Sequence, residues 1–247
     1  MTSPLQMPGA TLMTRLSVYD TPTPDGQIGG TPHVHLVCTE MYVVLSGHGA
    51  VEIIDKDGFR RVELQQHDAL VFSPGTIHRL INPNRNLEIL VIMQNSGLPE
   101  RGDNVVTFKH EWLSDDDRYS EAMQVQTLAD AYQRRNRGVE GFIELKAQFA
   151  SNHEEGIAAL NRFYTGANAR IAQRLTRWQE LVEQGALATA KQSLQQLAQL
   201  QQNDTHYLMH NQVAHISNED EPIPGFCGHL NRYFDPATLH LEGQQLA

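Results

Sequence analysis

Between Leu12 and Gln94 turn-forming residues break the chain so often that no helix of ordinary length fits. A Pro/Gly-rich loop, 21–32, follows an apolar run at Leu12–Tyr19. Gly47-His48-Gly49 and Asp57-Gly58 are hairpin signals; Ser73-Pro74-Gly75 and Asn82-Pro83-Asn84 are turns. The intervening runs, His33–Cys38, Met41–Ser46, Ala50–Asp55, Phe59–Leu64, Ala69–Phe72, His78–Ile81 and Leu87–Gln94, have strand length. Many short strands at close spacing predict a sandwich or barrel.

The character of the chain changes near residue 110. Beyond it Gln, Ala, Leu and Glu dominate with helical spacing. Ile157, Leu160, Phe163, Tyr164, Ala167, Ile171, Leu175, Trp178, Leu181 and Val182 form one apolar face. Ser151 and Glu154 fit a capping box at its start, and Gln184-Gly185 is expected to end it. Leu187, Ala190, Leu194, Leu197 and Ala198 repeat the pattern, so 152–184 and 186–203 are expected to form an antiparallel helical hairpin. A weaker helix is predicted over 119–135. The remainder, from Ile216, should be irregular with one strand around Leu230–Phe234. The expected organisation is a β-barrel domain over 1–110 and a mostly α-helical region over 111–247. In the latter, the polar and aromatic run Gly228–Tyr233 is expected to cover the barrel mouth or a subunit contact.

The chemistry lies in the barrel half. His33 and His35 are two apart, which on a strand aims both imidazoles to one face. Glu40 follows closely, and His78 opens a later strand. Three imidazoles and a carboxylate form a mixed N/O set suited to a borderline divalent metal such as Mn, Fe, Ni or Zn. By parity Tyr42 and Asn82 share the inward face as pocket candidates, while Arg79 points outside. His48 and His67 fall in turns. His206 and His210 lack the intervening glutamate of a zincin helix and are expected to be exposed polar residues.

These residues resemble the cupins. The first cupin motif, G(X)5HXH(X)3-4E(X)6G, is similar to the run from His33 through His35 and Glu40 to Gly47. The second, G(X)5PXG(X)2H(X)3N, is similar to Gly75, His78 and Asn82. Gln27 and His67 stand at the leading glycines and Ser73 at the proline. The resemblance implies a jelly-roll barrel with a helical C-terminal extension, and one divalent metal per chain on His33, His35, Glu40 and His78. It also implies a homodimer and a substrate or ligand that is a sugar, sugar phosphate or organic acid. Cupins include isomerases, dioxygenases and decarboxylases, but also non-catalytic binding modules, so both classes stay open.

With 19 Lys plus Arg against 29 Asp plus Glu, the formal charge is −10. An acidic chain repels a phosphate backbone, and nucleic-acid binding is not expected. No apolar stretch reaches the roughly 20 residues that span a bilayer. Met1–Arg15 lacks a signal-like apolar run, and Cys38 and Cys227 are expected to be free thiols. A cytoplasmic protein is expected.

Overall fold

A computed structural model describes residues 7–216 and 221–233. The strands are β1 (Leu12–Val18), β2 (His33–Val34), β3 (Glu40–Ser46), β4 (His48–Asp55), β5 (Gly58–Gln65), β6 (Ala69–Phe72), β7 (Ile77–Ile81), β8 (Glu88–Met93) and β9 (Val105–Val106). After six helices the chain returns to the barrel as β10 (Ile223–Pro224) and β11 (Gly228–Arg232). Two antiparallel sheets result, ordered β10-β11-β1-β8-β3-β6 and β5-β4-β7-β2-β9. The strand expected around Leu230–Phe234 is β11, an edge strand paired with β1 from Thr14↔Arg232 to Val18↔Gly228. Phe234 and His240 lie outside the described residues.

Alternation builds the core. Along β1 the burial repeats with period two, placing Leu12, Thr14, Leu16 and Val18 inside. Tyr42 and Val44 do the same from β3, and Ile89, Val91 and Met93 from β8. Strands β4 and β7 are buried on both faces, because helices cover the outer side of their sheet.

Those helices are α1 (His110–Leu113), α2 (Asp116–Met123), α3 (Leu128–Ser151), α4 (His153–Ile171), α5 (Leu175–Val182) and α6 (Ala188–Gln201). The helix predicted over 119–135 is split. Asp115 caps α2, and a Thr127–Asp130 capping box starts α3, which then runs on to Ser151. The next cap is Asn152, not Ser151: its Oδ1 accepts the Glu155 N–H at 2.9 Å. The antiparallel pair is therefore α3 with α4. The hairpin expected at Gln184-Gly185 does not form. A glycine ends a helix by turning left-handed. Gly185 has no positive φ, and Glu183–Leu187 make one π-helical turn that carries α5 into α6.

Helix α3 lies against β9 through two glycines one turn apart. A Cβ on Gly141 would stand 2.1 Å from the Thr107 carbonyl oxygen, and one on Gly138 would stand 2.6 Å from Val106 Cγ1. This close approach joins the helical layer and the barrel into one buried cluster, from Leu12 to Cys227.

Candidate metal centre

His33 and His78 are direct partners across the β2–β7 ladder. Glu40 opens β3 in the opposite sheet, opposite Phe72 and Met93. His35 follows the end of β2; the strand expected over His33–Cys38 stops at Val34 and turns. The two sheets thus face these side chains into one space, and a ligand atom from each of the four lies within 4.8 Å of the others. None of the four residues is more than 5% exposed.

Backbone carbonyls set the tautomers. Nδ1 of His33 donates to Thr31 O at 2.9 Å, Nδ1 of His78 to Thr76 O at 3.0 Å, and Nδ1 of His35 to Asp103 O. A carbonyl only accepts, so each Nδ1 carries the proton and each Nε2 is left with a lone pair. Glu40 Oε2 lies 2.9 Å from His78 Nε2 and 3.3 Å from His35 Nε2. None of these three atoms is angled for a hydrogen bond, and all are buried without a partner. Buried polar atoms are rarely left so. Three lone-pair donors and a carboxylate aimed into one buried space fit a divalent cation, and metal-bound imidazoles usually have their other ring nitrogen held by such a carbonyl.

The electrostatics agree. Burial, then the neighbouring imidazoles, holds His33 well below its ordinary value. Burial pushes Glu40 up, but His35 and His78 outweigh it, and its carboxyl falls well below the usual range. Burial pulls His35 down, but the charge of Glu40 and the neighbouring Asp103 raise it on balance. The carboxylate is therefore buried with only His35 and His78 to balance its charge.

A cupin-domain family model matches residues 23–93, the stretch that carries all four side chains. This barrel is a cupin domain. The cupin is similar to a Streptomyces PAC13 variant solved with uridine, at 17% identity and TM-score 0.28, over 36% of this chain and 62% of that one. It is also similar to the plu4264 protein of Photorhabdus luminescens, at 17% identity and TM-score 0.29, over 38% and 68%. A third is WlaRA, a TDP-fucose-3,4-ketoisomerase of Campylobacter jejuni, at 15% identity and TM-score 0.28, over 34% and 58%. The chain spans less than two thirds of the PAC13 structure it matches. No curated protein matches it.

Around the four residues the cupin interior is aromatic. Phe72 stacks on His78 with centroids 4.5 Å apart and planes 9° apart. Tyr42 stands edge-on to both Phe72 and His78, and its hydroxyl is buried without a partner. Burial, then the charge of Glu40, holds that phenol well above its ordinary value, so it stays a neutral donor. Asn82 is different. Its Nδ2 donates to Val18 O at 3.0 Å, and its Oδ1 accepts from the N–H groups of Asn86 and Leu87, each at 3.0 Å. The inward parity expected of Asn82 holds in burial, but its amide fixes the 82–87 turn and leaves nothing for a pocket.

Arg79 does point away from the interior, yet it is buried. His67 adopts φ 75° in its turn, and His48 is exposed against Asn84. His206 and His210 sit on an exposed 3-10 turn.

Two contributors escaped the sequence reading. The Asp103 carboxylate accepts the N–H groups of Leu36, Val37 and Cys38, at 2.7 Å from the first and last. With its own carbonyl on His35, this one residue shapes the turn that follows β2. Charge-assisted bonds to several N–H groups are strong, and losing them leaves donors unpaired. Asp103→Ala is expected to cost about 2 kcal/mol or more of stability and to weaken metal binding. Denaturant unfolding and metal titration of the variant check both.

The other is the segment before β11. Phe226 lies 5.5 Å from the His33 ring, with Arg134 stacked on it at 4.1 Å. Gly225 O accepts from Tyr19 Oη at 2.9 Å and Arg134 at 3.0 Å. Cys227 Sγ sits 3.9 Å from His33 Nδ1, behind the ring. Cys38 and Cys227 are both free and buried.

Proposed function

We propose that this chain is a metal-binding cupin that holds one divalent transition metal on His33, His35, Glu40 and His78 and acts on or binds a small oxygenated molecule there. The observation that carries the reading is the set of three unpartnered buried atoms, His35 Nε2, Glu40 Oε2 and His78 Nε2, facing one space. A bound metal would supply Lewis-acid polarisation of a carbonyl or enediolate oxygen, or activation of oxygen. The chain's own residues would do the rest. Tyr42 offers a neutral hydroxyl to an oxygen of the ligand, and Phe72 and Phe226 exclude water. The ligand class is a sugar, sugar phosphate or organic acid, and the metal is Zn, Fe, Mn or Ni.

A non-catalytic binding module is the second reading. Either way the chain works as a homodimer, in a compartment reducing enough to keep two buried thiols free. Among the described residues no helix is long and apolar enough to cross a membrane.

Elemental analysis of protein purified without chelators or a His-tag tests the centre. About one metal ion per chain in the wild type and none in His33→Ala is expected. A wild type that is empty and cannot be loaded would sink the metal reading.

A further inference from the structure

Helix α6 is turned the wrong way for a single chain. Leu187, Ala190, Leu194 and Leu197 recur at three and four, the stripe a helix normally buries. Here Leu194 is 66% and Leu197 56% exposed, and Leu187 and Leu200 are exposed as well. The positions that are half covered are Thr189, Gln196 and Gln199, on the polar side. From Leu187 to Ile216 no residue is buried, although Leu208, Met209 and Val213 continue the apolar series. Helices in proteins draw most of their stability from a packed apolar face. An exposed stripe of this extent marks an interaction surface.

Charge selects the occupant. The chain carries a formal −10, so two copies repel over most of their surface. The run from Leu187 to Ile216 contains one lysine, Lys191, and one acid, Asp204, a formal charge of 1 − 1 = 0. It is a face on which two acidic copies can meet without gathering like charge. Lys191 lies in the first turn of α6, and Asp204 lies three residues beyond its last turn. A parallel pairing would set lysine on lysine and acid on acid. An antiparallel pairing about a two-fold axis near Leu197 sets Lys191 of each copy at the Asp204 end of the other, and the same contact occurs twice. The 14 residues of α6 rise only about 21 Å, less than a standard interface of roughly 1,600 Å² needs. The exposed apolar residues from Leu208 to Ile216 extend the surface.

We propose that α6 is the seam of a homodimer, its leucine stripe packed antiparallel against a second copy of itself. The inference rests on the homodimer reading above and adds the surface and its orientation.

Light-scattering mass of the full-length chain tests it with four proteins: wild type, Leu194→Glu/Leu197→Glu, Lys191→Glu, and Lys191→Glu/Asp204→Lys. The wild type is expected at twice 27.8 kDa. The double-glutamate variant should fall to one copy with an unchanged circular-dichroism spectrum, because both leucines are exposed. Lys191→Glu should weaken the dimer at low salt, and adding Asp204→Lys should restore it. A monomeric wild type overturns the dimer and the seam together. A dimer that survives the two glutamates overturns the seam alone. Failure of the charge swap to restore association overturns the antiparallel orientation.

Discussion

His78→Ala should fold and lose its response to metal. In the wild type, saturating divalent metal should bind the folded chain in preference to the unfolded one, adding about 4 kcal/mol at a thousandfold excess over Kd. That gain should appear as a rise of several degrees in Tm. In the variant it should vanish, because three of the four donors remain but the closest partner of Glu40 is gone. The metal-free variant should also lose about 1–3 kcal/mol, the usual range for a single substitution, since the imidazole fills space against Phe72. The far-ultraviolet spectrum should hold, because the cross-strand ladders of β7 run through its backbone. A variant whose Tm still climbs with metal would place the ion elsewhere; one that does not fold would make His78 structural.

The convergence of His33, His35, Glu40 and His78 was legible because its signal is local and redundant. Two histidines at strand parity, a nearby glutamate and a histidine after a Pro-Gly turn all point one way. The barrel strands were legible for the same reason, each bounded by its own turn residues. Asp103 was not: it reaches 65 to 68 residues back to the turn after β2, and one aspartate in a loop has no period to betray it. Phe226 and Cys227 reach the site only because β11 pairs with β1 from the far end of the chain. The helical half misled where a residue has two uses. Gly185 can end a helix or sit inside one, and it does the second, within the π-helical turn, where an added Cβ would meet Ala10 only at an ordinary 3.5 Å. Parity placed Arg79 outside the barrel correctly, but parity says nothing of the helix that covers that face.

That cover makes Arg79 the position of largest expected cost. It is 1% exposed. Its Nε donates to Glu52 Oε2 at 2.9 Å and its terminal nitrogen to Asp25 Oδ2 at 2.6 Å, while Phe142 of α3 lies 5.3 Å from the guanidinium. One side chain therefore ties β7, β4, the 21–32 loop and α3 together. Removing one partner of a buried ion pair strands the other charge, and Arg79→Met is expected to cost about 3–5 kcal/mol, much of the roughly 5–15 kcal/mol that holds a typical domain. Replacing Glu52 by leucine as well should recover the part of that loss owed to the stranded, buried Glu52 carboxylate, while Asp25, at 24% exposure, is left to solvent. Acid should narrow the gap. Burial pushes the Asp25 carboxyl up, but the Thr23 hydroxyl and Arg79 outweigh it and hold it below its ordinary 3.8. A depressed folded-state value contributes fully above 3.8 and is lost as pH falls through the lower folded-state value. The difference between wild type and Arg79→Met should therefore be widest above that range and shrink below it. Denaturant unfolding of the single and double variants across pH reads all three effects. A single variant within 1 kcal/mol of wild type at neutral pH would mean that Glu52 finds another partner.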